Sequence, residues 1–460
     1  MKILCHAGPW SDEYLEYISL RMFPDANVLI LSHHRTTDKS GLCNRYYALV
    51  AEKAPIFKSN LSRNNQEIIA RCRLLRSIPI KEAEFHLEYM RTSISEVLTS
   101  FSPDLILSET IDSYIMDLLE EQSSFRKIPF IGLVKSFING YFRISSRGEL
   151  CPVREVSQDE VNEIYEMLVG REYRPNLVAN SFNSHKKKIA LRWFRNIIKI
   201  PYFFLKRYIF SFDEKYNYHY WATQLISMQW FHLFPQLSLG IKNWNEELVK
   251  VNKKIIYIPL QMYPEATVDY WCQDIEYINY NELLYFFIEK FKDNFHFLIK
   301  EHPNVQGYRN SKVYKKLQDF PNVTICPTLT SLNEILPFID AAFLWTGSLG
   351  LELALKDIPV FTVCRPYYMF GKMFLQIKKD SLATEIISFI ENKKKQPIEE
   401  KKDILGKILE GNLKGELIVE GNWNIDNEKH KKLADEFSSS LKMGIARCVK
   451  KEAELFKRSH

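Results

Sequence analysis

Two stretches decide the fold: FHFLIKEHP at residues 295–303 and AAFLWTGS at residues 341–348. Each is a short apolar run that closes abruptly on polar residues, the pattern of a strand buried on both faces of a parallel sheet. Working outward, KKIIYIPLQ predicts a strand near Ile255–Ile258, a helix follows over about Asn281–Lys292, and NVTICP and IPVFTV supply two more strands. The first half has the same rhythm. KILC (Lys2–Cys5), NVLILS (Asn27–Ser32), PDLILSET (strand at Leu105–Leu107) and IPFIGLV (Ile128–Val134) alternate with helical segments, the longest spanning Asn65–Ser100. Strands alternating with helices predict an α/β fold of two doubly wound, Rossmann-type domains facing across a cleft. The expected divisions are an acceptor-side domain at 1–170, a connecting segment at 171–245, a donor-binding domain at 246–395, and C-terminal helices at 396–460 that return to the first domain. The charged run Lys393–Lys402 reads as solvated helix surface or linker.

A chain of 460 residues exceeds one ordinary core, which agrees with two domains. Its 16 glycines are few, and neither a Walker loop nor a G-x-G-x-x-G turn occurs. Phosphate would therefore be held by other means than a glycine-rich loop. The eight cysteines are scattered without a C-x-x-C pair, so buried free thiols in a reducing compartment are expected and a zinc site is not. No run of about 18 apolar residues occurs, so no membrane span is expected. The chain is expected to be cytoplasmic, with at most a peripheral position at the inner face of the membrane.

The net charge of +6 is unevenly placed. No acidic residue lies between Glu172 and Asp213, a span holding nine lysines and arginines interleaved with aromatics such as Trp193, Phe194 and Tyr202. Residues 174–210 read either as a surface that lies on anionic lipid or as a helix whose aromatics enter the core while its lysines reach water. No nucleic-acid-binding signature accompanies the patch, so nucleic acid is not an expected partner.

In open parallel sheets, ligands sit beyond the carboxyl ends of the strands. Lys300, His302 and Pro303 follow the 295–300 strand, and Pro303 restricts the backbone at His302. Thr346, Gly347 and Ser348 follow the next decisive strand and open an apolar helix, with Glu352 one turn in. This turn reads as a phosphate seat, or more plainly as a helix start capped by Thr346 or Ser348. PLQMYPEAT, after the 255–258 strand, places Gln261, Glu265 and Asp269 near the cleft. In the first half, Glu109 ends the LILSE strand as a candidate general base, or serves as a first-turn acid, and His6 follows the first strand.

PLQMYPEAT, LIKEHPN and TGSLGLELAL-x5-VF together resemble the bacterial capsule polysaccharide biosynthesis family, which includes Kdo transferases. That family is related in fold to sialyltransferases with a His-Pro motif, of GT-B architecture. The resemblance covers roughly Ile255–Arg365 and implies a glycosyltransferase that takes an acidic sugar such as Kdo from a CMP-sugar to a glycan or lipid-linked acceptor. It implicates His302, Pro303, Thr346, Gly347, Ser348 and Glu352 in donor binding, and Lys300 adds charge beside them. It also implicates Glu109 in catalysis; Glu265, whose loop matches a family signature, competes for that role by its position, and His6, Gln261 and Asp269 are further cleft candidates by position. No Asp-x-Asp pair occurs, so neither a metal nor another cofactor is expected. A UDP-sugar or phosphoribosyl donor on the same fold, and a non-catalytic glycan- or lipid-binding role, remain the alternatives.

Overall fold

The computed structural model describes residues 1–53, 65–170, 173, 175, 185–205, 238–307, 309–392, 395–418 and 423–458. Among these, twelve strands run in chain order. They are β1 (Lys2–His6), β2 (Asn27–Leu31), β3 (Leu105–Glu109), β4 (Phe130–Lys135), β5 (Tyr141–Ile144) and β6 (Lys254–Pro259), then β7 (Phe295–Lys300), β8 (Val323–Ile325), β9 (Ala341–Leu344), β10 (Val360–Thr362), β11 (Phe374–Gln376) and β12 (Asn412–Lys414). They form two six-stranded sheets in two compact units. One unit comprises Met1–Ser157 with Lys407–His460; the other takes its described residues from between Gln158 and Gly406.

The first sheet has the order β12-β5-β4-β3-β1-β2. Its strands β2, β1, β3 and β4 are parallel, whereas β5 and β12 are antiparallel additions. The chain steps from β1 to β2 on one side and then crosses to β3 on the other. The switch point of this doubly wound order therefore lies between β1 and β3. The core of this unit joins both ends of the chain: Tyr14, Leu15 and Ile18 of the helix Asp12–Met22 share a cluster with Phe437, Leu441 and Ile445 of the helix Glu428–Arg458. Arg21 reaches across the same seam to Asp435 at 2.6 Å.

The second sheet, β11-β10-β9-β6-β7-β8, is parallel throughout. Here the chain builds β6, β7 and β8 outward, then returns to place β9 on the other side of β6. This is the dinucleotide-fold order, with its switch point between β6 and β9. The central strands β6, β7 and β9 carry mostly buried apolar residues, such as Tyr257, Leu298 and Phe343, as in a parallel sheet covered on both faces.

Several expectations are corrected. The segment Asn65–Ser100 is not one helix: Asn65–Arg71 and Ile80–Phe101 are separate, and Pro79, which cannot continue a helix from its N-terminal side, caps the second. The run Lys393–Lys402 is not wholly solvated. Lys401, in the helix Ile398–Leu409, is buried and pairs with Asp357 at 2.7 Å while donating to the Leu355 carbonyl. Cys272 and Cys364 form a disulfide rather than two free thiols; five of the remaining six cysteines are buried. Of the connecting segment at 171–245, residues 171–172, 174, 176–184 and 206–237 lie outside the described residues.

Candidate functional site

The register of the second sheet assembles the site. Pro259 pairs with Lys300, and Tyr257 with Ala342. Counting on from those pairs, Gln261, His302 and Thr346 leave three adjacent strands at the same level, at and beside the switch point. Gln261 and Gly347 meet there directly. A Cβ built on Gly347 would lie 2.5 Å from Gln261 Nε2, so any larger residue there would push this amide aside. Thr346 does not cap the helix Leu349–Leu355. Its hydroxyl donates to the Thr267 carbonyl at 2.6 Å and ties this turn to the loop after β6. Ser348 is the N-cap residue but makes no side-chain capping bond, so neither half of the plain capping reading holds. Tyr368 donates its hydroxyl to the Gly347 carbonyl from the other side.

His302 is held by a buried ion pair next to it in sequence. Glu301 is wholly buried; its Oε1 accepts from the His302 N–H at 2.6 Å, and its Oε2 accepts from Arg309 Nε at 2.6 Å and Tyr314 Oη at 2.5 Å. Arg309 Nη2 donates in turn to the Gln261 carbonyl at 2.6 Å, and Tyr280 Oη accepts from the Gln261 N–H at 3.0 Å. One charge pair therefore fixes the loops after both β6 and β7. Burial alone would lower the Arg309 pKa, but facing Glu301 raises it, so the guanidinium stays charged. The Asn304 N–H donates to His302 Nδ1 at 3.2 Å. Burial, with Arg309 and Lys300 nearby, lowers the His302 pKa to about 4. The ring is neutral at pH 7, and with Nδ1 accepting, Nε2 carries the proton.

The remaining candidates divide. Pro303 is buried behind the loop. Lys300 donates to the Thr330 carbonyl at 3.0 Å, and burial lowers its pKa. Glu352 pairs with Lys356 at 3.2 Å, and burial raises its pKa, with Lys356 opposing. Glu265 accepts from the Thr267 hydroxyl at 2.6 Å, and Asp269 is wholly buried. In the other unit, His6 and Ser108 stand at the switch point between β1 and β3, with His6 Nδ1 3.4 Å from Ser108 Oγ. His6 Nε2 is buried without a hydrogen-bond partner, and burial lowers the pKa of this ring to about 4. Glu109, half-buried, ends β3 beside Ser108. Among the described residues, no group of three or more histidines, cysteines or acids is arranged to hold a metal ion.

Residues 160–381, which contain the whole second sheet, match the model of a family described as capsule polysaccharide biosynthesis protein. The likeness to the capsule polysaccharide biosynthesis family lies in this segment. No curated protein sequence matches it significantly. Among solved structures, a β-Kdo 2,7-transferase of Thermosulfurimonas dismutans KpsC aligns at 14% identity, with 95% of this chain and 99% of that one covered and a TM-score of 0.39. Its β-Kdo 2,4-transferase aligns at 10% identity over 68% and 82%, with a TM-score of 0.31. The UDP-GlcNAc 2-epimerase of Neisseria meningitidis aligns at 14% over 95% and 98%, with a TM-score of 0.28.

Within this capsule-family segment, sequence reading missed the residues that do the holding: Glu301, Arg309, Tyr314, Tyr280 and Tyr368. Only Glu301 carried a signal, as the neighbour of His302. In the other unit it missed His33 and His34, which follow β2 just as His6 ends β1. The rings of His6 and His33 stack at 6.0 Å, and those of His33 and His34 lie 4.5 Å apart.

Proposed function

We propose that this chain is a glycosyltransferase of bacterial surface polysaccharide synthesis that moves an acidic sugar, such as Kdo, from a CMP-sugar to a glycan or lipid-linked acceptor. The observation that carries the reading is the contact of Gln261 with Gly347 across the switch point of the capsule-family unit, level with His302. In a sheet of this order that is where a nucleotide is bound. His302, neutral with its proton on Nε2, donates to the donor's phosphate, and the Thr346–Gly347–Ser348 turn borders the same position. Lys300 and Glu352 add charge deeper in the unit, and Pro303 fixes the loop. Because the acceptor oxygen is ionised, the hydrogen bond from His302 is a strong one even from an uncharged ring.

Glu109 is the proposed general base. Its carboxylate takes the proton of the acceptor hydroxyl as that oxygen bonds to the anomeric carbon. The bond from that carbon to the phosphate oxygen breaks, and its electron pair leaves with CMP, whose developing charge His302 stabilises. Glu265 is the competing carboxylate, occupied here by the Thr267 hydroxyl. His6 and Gln261 serve as binding residues, and Asp269, being wholly buried, supports its loop.

A thermal-shift screen of the full-length protein with CMP, UMP, UDP and GDP tests the donor. CMP is expected to give the largest stabilisation. A clearly larger shift with UDP refutes the CMP assignment and favours the UDP-sugar alternative.

A further inference from the structure

The helix His185–Leu205 has two sides of opposite character. At about 3.6 residues per turn, Leu191, Phe194, Ile198 and Leu205 fall on one side, with Ile197 at its edge. Each of these side chains is exposed, Phe194 by 57% and Ile198 by 55%. Ile189 falls on roughly the opposite side and is buried. It is seated against Gly307, whose φ is +85° and where a Cβ would lie 2.3 Å from Ile189 Cγ2. The helix thus meets the loop that follows His302 through buried Ile189, and it turns an apolar strip to solvent.

We propose that this strip is a docking surface for an anionic lipid bilayer, on which the helix lies in the plane of the headgroups. Three observations select that occupant. An apolar strip of large exposed side chains on one side of a helix is costly to leave in water and fits the boundary between headgroups and acyl chains. Lys186 and Lys187 are exposed at the start of the helix, and the chain has no acidic residue between Glu172 and Asp213. A second copy of the same surface would bring like charges together, whereas phosphatidylglycerol-type headgroups complement them. No described helix is long and apolar enough to cross a membrane, so the contact is with one leaflet. The proposal stands whichever nucleotide the donor carries. Its consequence for function is positional: the helix meets the His302 loop through Ile189, so a lipid-linked acceptor would be met beside the donor loop.

Flotation of the full-length protein tests this, with vesicles of phosphatidylcholine alone and of phosphatidylcholine mixed with phosphatidylglycerol, at low and high salt. Two variants accompany the wild type: Phe194→Ser with Ile198→Ser, and Lys186→Gln with Lys187→Gln. All four positions are exposed, so both variants should melt as the wild type does. The wild type should float with the anionic vesicles at low salt and be released by high salt. Each lysine near the surface contributes about fivefold, so the lysine variant should bind roughly 25-fold more weakly, and the apolar variant should lose binding by at least about tenfold. Absence of flotation at low salt, or wild-type flotation by both variants, overturns the proposal. So does a dimer in sedimentation that Phe194→Ser with Ile198→Ser dissolves.

Discussion

Replacing Glu301 with Gln removes the charge that Arg309 faces in a site closed to water, where the two side chains are 0% and 3% exposed. One carboxylate oxygen becomes an NH2 group. If it takes the place of Oε2 it confronts Arg309 Nε and Tyr314 Oη, and if it takes the place of Oε1 it confronts the His302 N–H and Arg309 Nη2. Either choice sets donors against donors and leaves a guanidinium buried without its counter-charge. Breaking a buried pair by removing one partner costs about 3–5 kcal/mol, a large part of the roughly 5–15 kcal/mol that stabilises a domain. Arg309→Met should cost a similar amount, because it strands the carboxylate instead. The double variant, which strands neither charge, should cost less than the sum by at least about 2 kcal/mol. Urea denaturation of the four proteins measures this coupling, and CMP titration of the folded variants should show weakened binding, since the pair holds both His302 and Gln261. Additive losses, or a single-variant cost below about 1 kcal/mol, would refute the reasoning.

Gly347→Ala should displace the Gln261 amide, which lies 2.5 Å from the added Cβ, and weaken CMP binding by at least about tenfold; adding Gln261→Ala should restore the lost thermal stability without restoring affinity. His6 and His302, both with pKa values lowered to about 4, are neutral when folded but take up protons near pH 6.5 when unfolded. The unfolded chain therefore binds more protons between these values, and stability should be constant above about pH 6.5 and fall on acidification towards about pH 4. His6→Asn should reduce that acid sensitivity in urea titrations, and an unchanged slope would show that His6 is not desolvated. Glu109→Gln should abolish transfer while leaving CMP affinity within about twofold, since it removes basicity and keeps shape; turnover near that of the wild type would pass the role to Glu265.

The parallel strands other than β11 were legible because each is an apolar run bounded by polar residues, and the structure puts His6, Glu109, Gln261, His302 and Gly347 at or just past strand ends, where that pattern placed them. The short strands β5, β11 and β12 were not, because their stability comes from pairing with other segments, Asn412 with Arg143 and Phe374 with Val360 for example, and three or four residues carry no period. The same limit hid the machinery around His302. Glu301, Arg309 and Tyr314 meet through one short loop and one helix, but their common tie to Gln261 depends on the register of β6 with β7, which no local pattern encodes. Thr346 was legible as a polar strand end, yet its hydroxyl serves the Thr267 carbonyl rather than the helix, a choice made by the neighbouring loop. Likewise Lys401 looks like one more charge in a solvated run until Asp357 is brought beside it.

The central claim is that the unit containing His302 binds a cytidine nucleotide at its switch point. Isothermal titration of CMP into the full-length wild type and into His302→Ala tests it most directly. A hydrogen bond from His302 to an ionised phosphate is worth about 1.5–3 kcal/mol, so the variant should bind CMP about 10- to 150-fold more weakly while melting as the wild type does. Equal CMP affinity in the two proteins, or no CMP binding by the wild type, would contradict the account.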